Sequence, residues 1–218
     1  VAFRRGSPKN PGNNNMQNYF EEVYKILDLP TKAYFKGHRD RFEYQYNLFS
    51  TFFNGKKLNV VYDIGTFFPF SSLYFAEQGA EVYYGCEKLP NVCGIPNTQP
   101  FKIDLTNPPQ LPQADLVLCC ECLEHLTCNL YPVRDYLVSL VKPGGYLFLS
   151  FPTGGICLGK YDETLPYEGD KHYREFPVEQ AREFYKAIGF NLIAEQAVKT
   201  PLYQSGEGIL HVLLQRGE

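Results

Sequence analysis

Residues 119–132 read CCECLEHLTCNLYP, which places two carboxylates and an imidazole, Glu121, Glu124 and His125, within five positions behind an apolar run. Such groups hold divalent ions, and they also form the polar side of an ordinary helix. On one helical turn, positions i, i+3 and i+4 share a face, so all three would point the same way. A further imidazole, His172, stands in GDKHYREF just before a segment of helical spacing. Acids also recur at the ends of apolar runs: Asp63 in VVYDIG, Glu87 in VYYGCE, Asp104 in FKIDL, and Glu121. Cys119, Cys120 and Cys122 sit in the same stretch, but no second cysteine pair at zinc-site spacing accompanies them, so a structural zinc is not expected.

The elements that must position these groups follow from the apolar pattern. Residues 1–15, VAFRRGSPKNPGNNN, are polar and rich in Gly, Pro and Asn, the composition of a flexible arm or linker. A helix is predicted over MQNYFEEVYKILDLP, with Tyr19, Phe20, Val23, Ile26 and Leu27 at helical spacing, and a second over RDRFEYQYNLFSTFFNG, stopped by Gly55. Together they form an N-terminal helical cap over residues 16–57. From Leu58 to the end, residues 58–218, short apolar runs alternate with helical segments. NVVYDIG, AEVYYGCE, PFKID, ADLVLCC and YLFLSFP read as strands, with helices over SSLYFAEQG, VRDYLVSLVKPGG and PVEQAREFYKAIGF. NLIAEQAVK and ILHVLLQR close the chain as an antiparallel pair. This alternation predicts a doubly wound α/β fold, a mostly parallel sheet of seven strands with helices on both faces. In such sheets ligands sit beyond the carboxyl ends of the strands, where Asp63, Glu87, Asp104 and Glu121 fall.

The chain has 218 residues, 44% hydrophobic and 21% charged, which fits one soluble domain with a full core and an N-terminal extension. Its opening Val1 fits an excised domain or a processed chain. No apolar run approaches the ~20 residues needed to span a bilayer, and no signal peptide is expected. A formal net charge of −3 supplies no field to attract long nucleic acid, though a short RNA end remains compatible. Seven cysteines, several inside apolar runs, read as small buried hydrophobes in a reducing, cytoplasmic compartment.

The segment VVYDIGTFFPFSSLYFAEQGAEVYYGCE resembles the first motif of class I S-adenosylmethionine-dependent methyltransferases, where an acid and a glycine follow the first strand and another acid ends the second. The resemblance implies that Asp63, Gly65 and Thr66 border the methionine part of the cofactor and that Glu87 accepts hydrogen bonds from the ribose hydroxyls. A carboxylate, with two acceptor oxygens, suits a vicinal diol. KIDL matches the third-strand element, which sets Asp104 at the adenine amino group and Leu105 beside the ring. ADLVLCCECLEHL and LVKPGGYLFLSFP match the fourth and fifth, with Glu121 also bordering the cofactor. The resemblance spans Leu58 to Arg216. The glycine-rich turn of the family is here GTFFPF, with Gly65 alone, so a differently shaped loop is expected. A nicotinamide-binding domain needs those glycines more strictly, because its backbone cradles a pyrophosphate.

ECLEH together with His172 is similar to metal-dependent O-methyltransferases of the small-RNA 3′-terminal 2′-O-methyltransferase and ubiquinone-biosynthesis types, in which a Glu-x-x-Glu-His element joins a later histidine around a divalent cation. Carried onto this sequence, the metal ligands and catalytic residues are Glu121, Glu124, His125 and His172, and the ion is Mg²⁺ or Mn²⁺. The implied reaction is O-methylation of a hydroxyl beside another hydroxyl. A sugar or glycan is the first expected acceptor; an RNA 3′-terminal ribose and a catechol or quinol are the rivals, with a non-catalytic binding domain as the remaining alternative. His211, inside the last predicted strand, reads as structural. His38, between the two cap helices, reads as a solvated turn residue, with a substrate contact as its rival.

Overall fold

Val61, Leu116, Val117 and Leu118 have no exposed surface in the computed structural model of the chain, as expected for strands covered on both faces. The structure describes residues 20, 21, 23–25, 27, 29–66, 68–87, 95–153, 172–174, 176–199 and 208–218. The predicted arm, residues 1–15, lies outside the described residues. Strand β1 (Val60–Ile64) pairs in parallel with β2 (Glu81–Gly85) on one side and with β4 (Ala114–Cys120) on the other. Strand β3 (Thr98–Pro100) lies outside β2, and β5 (Val141–Pro152) continues in parallel beyond β4. Strand β7 (Ile209–Gln215) then runs antiparallel between β5 and β6 (Asn191–Val198), as predicted for the closing pair. The resulting order is β3-β2-β1-β4-β5-β7-β6. The chain winds outward in opposite directions from β1 and β4, so a crevice opens beyond the carboxyl ends of these two strands.

Helices α1 (Leu29–Gly37), α2 (Arg39–Phe52) and α3 (Leu73–Glu77) contribute to the core on one face of the sheet, and α4 (Leu130–Leu140) and α5 (Val178–Lys186) to the core on the other. Phe42, Tyr46, Phe49 and Phe53 form the buried stripe of α2 and its end. Phe49 has no exposed surface and meets Phe75 of α3 and Phe148 of β5, each at 4.9 Å between ring centroids. Each such buried ring contributes about 1.5–3 kcal/mol. The cap and the sheet thus share one core, which fixes the roof of the crevice relative to its floor. The described part of the earlier predicted helix, Phe20, Glu21 and residues 23–25, is helical, and Phe20 and Val23 are buried in the same core.

Several elements differ from their sequence-based expectations. Helix α1 has no predicted counterpart, and β5 begins at Val141, where VKPGG is expected to end the preceding helix. The third strand is Thr98–Pro100 rather than PFKID. Pro100 cannot donate to a ladder and is tolerated on this edge. Beyond it the chain still tracks β2, with the Phe101 N–H donating to the Tyr84 carbonyl at 2.9 Å and the Ile103 N–H to the Cys86 carbonyl at 3.1 Å. The helix expected over SSLYFAEQG is only Leu73–Glu77, because the Ser72 hydroxyl is turned onto Asp63 instead of capping it, and Gly79 takes a φ of +91° just past its end. The fourth helix starts early, at Leu130, where the Asn129 side chain accepts the Tyr131 N–H at 3.0 Å.

Candidate active site

Beyond β4 the chain makes a 3₁₀ turn, Leu123–His125, instead of continuing as a helix. The turn carries Glu124 inward, where it has no exposed surface, and leaves His125 partly exposed. His172 arrives from a distant segment that is clasped to this turn. The Tyr173 N–H donates to the Glu124 carbonyl at 2.8 Å, and the Arg174 guanidinium donates to the carbonyls of Leu126, at 3.0 Å, and Cys128. The His125 and His172 rings then meet edge to face, 4.7 Å between centroids. One ligand atom from each of Glu124, His125 and His172 lies within 4.8 Å of the others. Neither Glu124 oxygen accepts a hydrogen bond among the described residues, and burial, with Glu121 nearby, pushes its carboxyl well above the usual range. His172 is pushed down to about 4 by burial and by His125. Taking a carboxylate out of water costs several kcal/mol unless a cation compensates it. Two imidazoles and a buried carboxylate that accepts no hydrogen bond among the described residues are a donor set that fits a divalent ion.

Glu121 does not share that helical face. It sits at a φ of +48°, with its N–H still held in the β4–β5 register by the Ser150 carbonyl at 3.3 Å. Its carboxylate accepts the Ser150 hydroxyl at 3.0 Å and pairs with the Arg41 guanidinium at 3.6 Å. Arg41 descends from α2, is 3% exposed, and donates to the Tyr34 hydroxyl at 2.9 Å. Asp63 is also buried, accepts the Ser72 hydroxyl at 2.7 Å, and is pushed up to about 7 by burial against the opposing pull of Ser72 and Arg41.

The loop after β1 shows what replaces the expected glycines. Gly65, at a φ of +83°, donates its N–H to the Gly85 carbonyl at 2.7 Å, and the Thr66 hydroxyl donates to the Phe68 carbonyl at 2.7 Å. Phe68 and Phe70 fold into the cap core, Phe70 lying 4.7 Å from Phe42 and 5.1 Å from Phe35. Aromatic packing rather than backbone permissiveness therefore shapes this loop. Glu87 lies exposed two residues past β2. Asp104 is exposed, and its carboxyl is held below the usual range by the Thr106 side chain and N–H, 2.7 and 2.8 Å away. Leu105 is buried.

His38 departs from the solvated-turn expectation. It is 7% exposed, its ring lies 4.3 Å from that of Tyr34, and burial, Arg41 and His172 hold it down to about 3. The junction itself faces water, with Lys36, Arg39 and Asp40 exposed, while the His38 ring turns inward against Tyr34. His211, expected to be structural, is buried between the rings of Tyr44, 4.9 Å away, and Phe148, 5.8 Å away. Burial and Arg41 push it down to about 3. A histidine kept neutral in the fold takes up a proton only on unfolding. Its stabilising contribution is present above its ordinary value of 6.5 and is lost as pH falls toward 3. His211→Phe is expected to shrink the stability loss between about pH 7.5 and about pH 5 by about 2 kcal/mol. Urea midpoints at the two pH values check this, and an unchanged difference would contradict it.

Sequence reasoning passed over Arg41, Gln45 and Ser150. Arg41 and Gln45 are a polar i, i+4 pair on the buried side of an aromatic helix, which is a legible signal. Gln45 accepts the Ser71 hydroxyl at 2.7 Å. Ser150, inside an apolar strand, carried no such mark.

The seven-stranded order with its antiparallel closing pair is that of the class I methyltransferase fold. No protein-family model and no curated sequence matches the chain. Among solved structures it is similar to the 1,6-didemethyltoxoflavin-N1-methyltransferase of Burkholderia thailandensis, with 17% identity, a TM-score of 0.62, and coverage of 91% of this chain and 90% of that one. It is similar also to the magnesium protoporphyrin IX methyltransferase of Synechocystis PCC 6803, with 19% identity, a TM-score of 0.62, and coverage of 92% and 95%. An O-methyltransferase family 2 protein of Planctomyces limnophilus matches at 14% identity and a TM-score of 0.51, over 72% of this chain and 50% of that one.

Proposed function

We propose that the protein is an S-adenosylmethionine-dependent O-methyltransferase, assisted by a divalent ion, that methylates one hydroxyl of a vicinal diol, with a sugar or glycan as first acceptor. The observation that carries this reading is the meeting of buried Glu124 with the partly exposed His125 and His172 just past the carboxyl end of β4. Structures of this fold hold S-adenosylhomocysteine, as in the toxoflavin enzyme, which supports the cofactor assignment. The cofactor would supply a methyl group on a sulfonium. Glu87 would hold the ribose diol, Asp104 and Leu105 the adenine, and Asp63, Gly65 and Thr66 the methionine part. An ion on Glu124, His125 and His172 would lower the pKa of an acceptor hydroxyl and orient it.

A catechol-like ring is the second reading, favoured by Tyr34, an exposed aromatic residue (46%) whose ring lies beside that of His38. An RNA 3′ end has less support. Of the two basic segments, FRRGSPK lies outside the described residues, and in FKGHRDR Arg41 faces inward while Arg39 pairs with Glu43 at 2.6 Å. No described helix is long and apolar enough to cross a membrane. Cys86, Cys119, Cys120, Cys122 and Cys128 are free thiols, which supports a reducing, cytoplasmic setting.

The test is a methyl-transfer screen over saccharides, catechols and short RNAs with added Mn²⁺ or Mg²⁺, alongside calorimetric titration with S-adenosylmethionine. Cofactor binding without transfer to any diol would favour a non-catalytic domain. Absence of cofactor binding would end the reading. Glu87→Ala is expected to weaken the cofactor by about 1.5–3 kcal/mol, the scale of hydrogen bonds to a charged group. An unchanged dissociation constant would remove Glu87 from the site.

A further inference from the structure

We propose that the ion takes three protein ligands, Glu124, His125 and His172, and that Glu121 is an outer carboxylate reserved for Arg41 and Ser150. This rests on the metal reading above and departs from the four-ligand set that the sequence resemblance implied. Three observations carry it. Glu124, His125 and His172 form a group of mutually close ligand atoms that Glu121 does not join. Glu121 precedes the 3₁₀ turn and is tied by its own N–H to the β5 register, so it cannot rotate with Glu124 and His125 as a helical residue would. Its carboxylate is already engaged, by the Ser150 hydroxyl at 3.0 Å and the Arg41 guanidinium at 3.6 Å.

Moving Glu121 onto the ion would strand Arg41. That guanidinium is 3% exposed, and its Nε and Nη1 make no hydrogen bond among the described residues, so Glu121 is its nearest ion-pair partner. Breaking a buried pair by removing one partner is strongly unfavourable, because the other charge stays buried uncompensated. Glu124 differs: both of its oxygens are buried without a hydrogen bond among the described residues, whereas Glu121 leaves only Oε2, the oxygen that faces Arg41, without one. The ionisable side chain paired with Glu124 is His125, at 3.8 Å, itself a member of the triad. One carboxylate is paired with a buried guanidinium, and the other faces the imidazole with which it would share an ion.

The consequence is chemical. Two imidazoles and one carboxylate leave roughly half of a six-coordinate ion's positions open, enough for two neighbouring hydroxyl oxygens and a water. One carboxylate leaves the ion and its ligands with a net positive charge, whereas two would neutralise it. A positive centre lowers the pKa of a bound hydroxyl further. Nitrogen-rich coordination also favours Mn²⁺ or Fe²⁺ over Mg²⁺.

The test uses the full chain without cofactor and follows Mn²⁺ binding by loss of the free-ion electron paramagnetic resonance signal. Glu124→Gln and His172→Ala are expected to weaken Mn²⁺ by more than about a hundredfold, and Glu121→Gln by less than about fivefold. Glu121→Gln alone could unfold the chain by exposing Arg41, so the paired variant R41M/E121Q, which removes both charges, is measured as well and is expected to behave as Glu121→Gln does. If both variants keep a native melting transition and lose Mn²⁺ as severely as Glu124→Gln, the three-ligand assignment is overturned. Counting bound water on Mn²⁺ in ¹⁷O-labelled water gives an independent reading: roughly three waters are expected, and two would support a fourth protein ligand. Failure of the wild-type chain to bind Mn²⁺ at all would instead overturn the metal reading on which this rests.

Discussion

Removing divalent ions with a chelator is expected to abolish methyl transfer to a diol acceptor, and added Mn²⁺ or Mg²⁺ to restore it. A protonated sugar hydroxyl is a poor nucleophile, and His38, held down to about 3, and His172, held down to about 4, are weak bases. An ion that makes the acceptor proton more acidic would offset that weakness. His172→Ala should cost at least about a hundredfold in kcat/KM, which is ~2.7 kcal/mol of barrier. Affinity for S-adenosylmethionine should stay within about twofold, because Glu87 and Asp104 lie past other strand ends. The clasp of Tyr173 and Arg174 does not depend on the imidazole, so the fold should survive, and an unchanged melting transition would verify that. Full activity in chelator, or an active His172 variant, would reduce the triad to crevice-lining polar residues.

The second large effect is expected at Gly65. A Cβ there would fall within the Sγ of Cys122 and 2.6 Å from its Cβ, and the φ of +83° is one that a side chain rarely adopts. The left-handed backbone costs about 1–2 kcal/mol and the overlap about 1–3 kcal/mol more, so Gly65→Ala should lower stability by about 3 kcal/mol. Cys122 is the residue between Glu121 and the turn that carries Glu124, so the clash would also displace both sides of the crevice. A cycle with Cys122→Gly separates the two costs: only the backbone part should remain in the double variant. Additive losses would mean that Gly65 and Cys122 do not meet as described. Chemical denaturation of the four proteins measures this.

The sheet was legible because its signal is local. Runs such as VVYDI and ADLVLCC lack a polar side, and only strands covered on both faces read that way. Period and punctuation therefore determined a mostly parallel seven-stranded sheet with an antiparallel closing pair. They also brought the acids to one edge, since strand ends are where alternation places them. The third strand was misplaced by a few residues, because an edge strand has no inner pattern to mark its limits and a proline sits within it.

Only the tertiary structure decided what each polar group does. Glu121 and Glu124 are the same residue type three positions apart, yet one pairs with Arg41 and Ser150 while the other is buried among imidazoles. A left-handed residue at the end of β4 and a short 3₁₀ turn separate them, and neither is visible in ECLEH. His38 and Arg41, on a cap whose aromatic spacing announced only a core, reach the crevice because Phe49 and Phe70 dock that cap on the sheet. Hydrophobic pattern is set by neighbours within a few residues, so sequence reports it. The partner of a buried charge is set by packing between segments that are far apart in the chain, and only the folded arrangement contains it.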